Sequence, residues 1–136
     1  MKPTLIVIIE DHASVAKALQ RLIRSFGFAA ETFGSGPAFL DWLHENQPDC
    51  VVLDIHMPQM SGFEIKAHLA AEHRSLPTIF ITGSDDPEDE WRARRANSSP
   101  FIHKPFTADQ MLSALQTALN VRIGLKANSV KSPSPV

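Results

Sequence analysis

Five residues with chemically active side chains stand at or directly after the ends of four apolar runs. Leu5 to Ile9 is followed by Glu10 and Asp11, the run from Val51 closes on Asp54, Thr78 to Ile81 is followed by Thr82, and Phe101 to His103 is followed by Lys104. Three carboxylates drawn into one small pocket repel one another and raise one another's pKa unless a cation lies among them. A divalent cation resolves the conflict. Mg²⁺ suits hard oxygen donors and retains several waters, so one or two carboxylates, a backbone carbonyl and a phosphate oxygen would complete its shell. A hydroxyl and an ammonium stand at the ends of the two later runs. No G-x-x-x-x-G-K-S/T or G-x-G-x-x-G segment follows the first apolar run, which argues against nucleotide-cradling and dinucleotide-binding loops.

These residues converge only if the intervening chain places the ends of the runs side by side. The runs at Leu5 to Ile9, Val51 to Leu53 and Thr78 to Ile81 read as buried strands, with shorter candidates at Ala29 to Phe33 and Phe101 to His103. Helical stretches separate them. From Ser14 to Phe26, the residues Val15, Ala18, Leu19, Leu22, Ile23 and Phe26 keep the spacing of one buried face, and Gly27 supplies a left-handed cap. Further helix starts are signalled by Ser35 before Gly36-Pro37, by Ser61 with Glu64, by Thr107 with Gln110 and by Asp86-Pro87. The helix opened by Asp86-Pro87, reaching about Ala96, carries Trp91 as its one large apolar residue, so a thin core contact through Trp91 is expected.

Strand and helix thus alternate five times, which predicts a parallel sheet covered on both faces. Right-handed crossovers make it doubly wound, with ligands bound beyond the carboxyl ends of the strands. The expected domain spans 1–123. Residues 124–136, with Ser-Pro-Ser-Pro and no periodic apolar face, are expected to form a disordered polar tail or linker remnant.

Composition narrows the function classes. With 136 residues the chain suffices for one domain with its own core, and no segment is apolar for long enough to span a bilayer. The opening MKPTLIVIIE ends in an acid where a signal peptide would present small residues, so a strand in a cytoplasmic protein is expected. The 13 Lys and Arg against 15 Asp and Glu give a net charge of -2, which disfavours direct nucleic-acid binding. Cys50 heads an apolar run and reads as a small buried hydrophobe. The six histidines show no H-x-x-x-H or Cys-paired spacing, so a zinc site is not indicated.

In order along the chain, IIEDH (8–12), VVLDIHMPQMSG (51–62), IFITG (79–83) and FIHKPF (101–106) resemble the signature segments of receiver domains from two-component response regulators. The likeness covers about residues 4 to 122, and Thr82-Gly83 among other features resembles the FixJ-type subgroup. The resemblance implies a flavodoxin-like (βα)5 fold with strand order 2-1-3-4-5. It implies that Asp54 accepts a phosphoryl group from a phosphohistidine on a sensor histidine kinase or phosphotransfer protein. It implies a Mg²⁺ site in which Asp11 and Asp54 bind directly, the carbonyl of His56 is the third ligand, and Glu10 acts through a water. Thr82 and Lys104 would contact the phosphoryl oxygens. Thr82 and Phe101 would form the switch, expressed on the surface of the fourth helix, fifth strand and fifth helix, where a downstream protein binds or a phosphorylation-dependent dimer forms. A cis Lys104-Pro105 bond that aims the ammonium inward is implied as well.

Some positions depart from the family pattern. Glu10 stands where Asp is commoner, Asn97 replaces a usual Gly, Phe101 replaces a commoner Tyr, and Pro100 precedes it. His56, two residues after Asp54, is expected to overhang the phosphoryl site and influence the access of water. Taken singly, Asp54, Thr82 and Lys104 read as a turn acid, a strand end and a solvated charge. As a set they favour the phosphoacceptor, with a pseudo-receiver scaffold and a small aspartyl-phosphate phosphatase as the competing readings.

Overall fold

The computed structural model describes residues 3–72, 74–95 and 100–127, with side chains through Asn120. Five strands, β1 (Leu5–Ile9), β2 (Ala29–Phe33), β3 (Cys50–Asp54), β4 (Thr78–Thr82) and β5 (Phe101–His103), alternate with five helices. The helices are α1 (Ala13–Ser25), α2 (Gly36–Leu43), α3 (Gly62–Ala71), α4 (Pro87–Arg95) and α5 (Ala108–Ala127). The strands form one sheet in the order β2-β1-β3-β4-β5, and every neighbouring pair is parallel. The expected doubly wound (βα)5 architecture is therefore the observed one.

The sheet divides the core in two, because successive side chains along a strand point to opposite faces. Ile6 and Ile8 of β1, Val52 of β3, and Ile79 and Ile81 of β4 pack on one face against Leu19 and Ile23 of α1 and Met111 and Leu115 of α5. Val7, Ile9, Val51, Leu53 and Phe80 pack on the other face against Phe39 and Leu43 of α2, Ile65 and Leu69 of α3, and Ala93 of α4. Both faces of the central strands are covered, which explains their uninterrupted apolar runs.

The local signals act where the sequence places them. Gly27 has φ +99°, the left-handed conformation that closes α1 without a side-chain clash. The Ser35 hydroxyl accepts from the Ala38 N–H at 3.3 Å, and Ser61 with Glu64 forms a complete capping box on α3. At the start of α5 the Thr107 hydroxyl accepts from the Gln110 N–H, and the Gln110 side chain returns to the Thr107 N–H. Pro100 has no N–H to give to the sheet, yet its carbonyl accepts from the Phe80 N–H at 2.9 Å.

Two expectations are corrected. In α4 the buried residues are Asp89 and Ala93, while Trp91 is 55% exposed. Asp89 and Ala93 are four residues apart and share a face, whereas Trp91 sits two residues from each and is turned about 200° away. Its ring lies under the Arg95 guanidinium, 4.7 Å from the centroid. Helix α5 runs through Ala127, beyond the boundary expected at 123. Arg122, Leu125, Lys126 and Ala127 are good helix formers, and one interior glycine, Gly124, costs only about 1 kcal/mol. The rest of the expected tail, 128–136, and Asn97 lie outside the described residues.

Candidate functional site

The carboxyl ends of β1, β3 and β5 lie on one edge of the sheet, because parallel pairing sets Ile9 beside Leu53 and Thr82 beside His103. Side chains that follow those positions therefore meet. Ligand atoms of Glu10, Asp11, His12 and Asp54 all lie within 4.8 Å of one another. From β5, Lys104 reaches this cluster: its Nζ donates to Glu10 Oε1 at 3.0 Å and stands 3.5 Å from Asp54 Oδ2. The Lys104-Pro105 bond is cis, in agreement with the implied conformation. Glu10 and Asp54 are buried, at 1% and 4% exposure.

This crowding sets the protonation equilibria. Burial, followed by the charge of Glu10, pushes Asp54 up to about 6, against the opposing pull of Lys104. Burial would also raise Glu10, but hydrogen bonds from Lys104 and His12 outweigh it and hold its carboxyl below the ordinary range. Burial alone would lower Lys104, yet the contacts to Glu10 and Asp54 raise it. The extra methylene of Glu10 brings this carboxylate against Lys104, the closer of the two acids to that ammonium. Glu10 Oε2 is occupied as well, accepting from the His12 backbone N–H at 3.2 Å and lying 3.1 Å from His12 Nδ1.

The donor set fits a hard divalent cation. Asp11 Oδ1 is buried and lacks a hydrogen bond among the described residues, its polar neighbour being His12 Nδ1 at 3.4 Å. Such an oxygen beside two further carboxylates is a cost unless a cation meets it. The His56 backbone N–H donates to Asp54 Oδ1 at 3.2 Å, so the chain after β3 folds close over the Asp54 carboxylate. That closure needs Gly62: its N–H donates to the Ile55 carbonyl, and a Cβ at this position would lie 2.9 Å from the Asp54 carbonyl oxygen.

Thr82 is fully buried at the end of β4, where its hydroxyl accepts from the Ser84 N–H at 3.0 Å. Phe101 is half-buried against the second core, edge-on to His103 with the ring centroids 5.0 Å apart. His56 follows Asp54 by two residues and its backbone N–H stays on that carboxylate. Its ring is drawn toward α4, where Nε2 lies 2.6 Å from Asp89 Oδ2.

Residues 6–116 match the family model described as the response regulator receiver domain. The chain belongs to this family. Among relatives of this receiver, the response regulator protein TmoT of Ectopseudomonas mendocina is 35% identical across 93% of the chain and 57% of its own length. The transcriptional regulatory protein CreB of Escherichia coli K12 is 30% identical across 95% of the chain and 54% of its own length. The receiver thus spans a little over half the length of these relatives. Among solved structures, a response regulator receiver protein from Burkholderia phymatum is 38% identical with a TM-score of 0.77, covering 86% of this chain and 95% of that one. The structure of FixJ-N is 31% identical with a TM-score of 0.81, covering 88% of this chain and 96% of that one.

Two participants escaped the sequence reading of this receiver. His12 joins the carboxylate cluster, and its place directly after Glu10-Asp11 was the available signal. Asp89 carried no signal: within the acidic run from Asp85 to Glu90, sequence alone does not distinguish the one member of α4's acids that turns inward.

Proposed function

We propose that this receiver is a phosphoacceptor in a two-component relay and that Asp54 is the residue modified. The observation that carries the reading is the meeting of Glu10, Asp11 and Asp54 with Lys104 at the strand ends, with the buried Asp11 Oδ1 given no hydrogen bond among the described residues. An Asp54 oxygen attacks the phosphorus of a phosphohistidine on a sensor histidine kinase or phosphotransfer protein. The O–P bond forms as the donor's P–N bond breaks, giving an aspartyl phosphate. With Asp54 at about 6, the carboxylate is mostly ionised near pH 7 and ready to attack.

Asp11 and Asp54, the His56 carbonyl and Glu10 through a water are the groups that would hold Mg²⁺. When bound, the ion supplies neutralisation of charge on the phosphoryl oxygens. Lys104 provides a second positive charge from the β5 side and orients the acceptor carboxylate. Thr82 exchanges its Ser84 contact for a phosphoryl oxygen, and Phe101 moves into the space released. The altered surface of α4, β5 and α5 then binds a downstream protein or a second copy of the chain. The domain promotes its own modification and loss of the phosphoryl group, without turnover of a separate substrate.

The test is binding of beryllofluoride, a mimic of the aspartyl phosphate, in the presence of Mg²⁺. A rise in thermal stability that requires both components, and is abolished by Asp54→Asn, is the expected result. Parent protein that gains nothing from the mimic would reduce this site to a scaffold.

A further inference from the structure

Helix α4 puts only two of its nine residues, Asp89 and Ala93, out of solvent. Asp89 is 5% exposed, and a carboxylate so placed is costly unless a donor meets it. The donor comes from the chain after β3. His56 Nε2 lies 2.6 Å from Asp89 Oδ2, with the imidazole N–H donating across 33 residues of sequence. Its neighbours Glu88 and Glu90 make no comparable contact: Glu88 is exposed, and Glu90 pairs with Arg94 on the helix surface.

His56 is therefore bonded at both ends. Its backbone N–H donates to Asp54 Oδ1 at 3.2 Å, and its ring donates to α4. Short hydrogen bonds to a charged group are strong and sensitive to geometry. Any change at the Asp54 carboxylate alters what the His56 N–H meets and shifts the base from which the ring reaches Asp89. Among the described residues α4 is otherwise held by Ala93, by its packing beside β5, and by Arg92 lying over the Phe63 ring at 4.2 Å.

We propose that Asp89 is a positioning residue that ties α4 to the phosphoacceptor loop through His56, so that occupancy at Asp54 and placement of α4 are coupled through this hydrogen bond. The coupling rests on the phosphoacceptor reading and is separate from the Thr82 and Phe101 route. Linkage makes it reciprocal: an α4 released from His56 changes the affinity of the Asp54 site for its ligands.

A native reporter exists, because the chain has two tryptophans, Trp42 and Trp91, and Trp91 follows Asp89 by two residues. In ¹⁵N-labelled protein the two indole N–H resonances are assigned with Trp91→Phe and followed while beryllofluoride and Mg²⁺ are added. In the parent the Trp91 resonance moves as the mimic binds. Asp89→Ala, at a residue outside the metal and acceptor site, is expected to bind the mimic and lose at least half of that displacement, and His56→Ala and the double variant His56→Ala with Asp89→Ala to lose as much. His56→Gln, whose amide N–H₂ reaches the place of Nε2, is expected to keep it. A full Trp91 displacement in the double variant, or equal losses in His56→Ala and His56→Gln, overturns the coupling while leaving the acceptor reading intact. Parent protein that does not bind the mimic overturns the acceptor reading, and the coupling with it. Should Asp89→Ala fail to fold, the contrast between His56→Ala and His56→Gln decides by itself, since the ring is largely exposed.

Discussion

At the scale of residues, the site stores an electrostatic conflict. Asp54 is held at about 6 against an ordinary 3.8, first by burial and then by Glu10. Between those values the folded chain binds more protons than the unfolded chain, so this group's contribution to stability declines as pH rises from about 4 to about 6. A shift of that size corresponds to about 3 kcal/mol at neutral pH. Asp54→Asn is therefore expected to stabilise the metal-free protein by about 1–3 kcal/mol at pH 7.5 and to have no such effect below pH 4, measured by urea unfolding across pH. Mg²⁺ affinity is expected to rise as pH passes through about 6, because the ion requires the ionised carboxylate; calorimetric titration at pH 5.5 and 7.5 checks it. Gly62→Ala would push a methyl group against the Asp54 carbonyl oxygen. It is expected to cost about 1–3 kcal/mol, read from the urea midpoint, and to weaken the beryllofluoride response.

At the scale of elements, each helix start can be weighed separately. The box of Ser61 and Glu64 satisfies two otherwise unpaired N–H groups at the head of α3, the helix that begins where the loop after β3 ends. Ser61→Ala is expected to cost about 1 kcal/mol in chemical denaturation. The end of α1 and the starts of α2, α3 and α5 were legible because their signals are local: a hydroxyl, a Pro or a Gly acts on groups within four residues. Helix α4 was legible in its start and extent but not in its buried face. With a single large apolar residue, Trp91 was the natural candidate for the core, and the sheet instead took Ala93 and a carboxylate. The space above the end of the sheet admits a small side chain, and the available donor was His56, a residue far away in sequence.

At the scale of the whole molecule, the sheet separates two cores, and only residues that enter one of them should weigh heavily on stability. Phe39 is fully buried between α2 and the sheet, whereas Trp91 is more than half exposed. Phe39→Ala is expected to cost about 3–5 kcal/mol and Trp91→Ala less than about 1 kcal/mol, measured as unfolding free energies under the same conditions. The opposite order would return Trp91 to the core. The sheet also explains why the site lies on one edge: parallel strands carry all their carboxyl ends to the same side, so residues following β1, β3 and β5 meet without any contact between them in sequence.

The amino-acid sequence by itself determined the alternation of strands and helices and the identities of Glu10, Asp11, Asp54, Thr82 and Lys104. Those properties follow from apolar periodicity, from capping chemistry within a few residues, and from polar residues placed at the ends of apolar runs. Tertiary structure alone decided that Lys104 lies nearer Glu10 than Asp54, that His12 joins the carboxylates, and that the His56 ring meets Asp89. The reason is one of range. Periodicity and caps are set by neighbours along the chain, whereas an ion pair is settled by the side chains that packing brings within a few ångströms, here across 94 residues for Lys104 and Glu10.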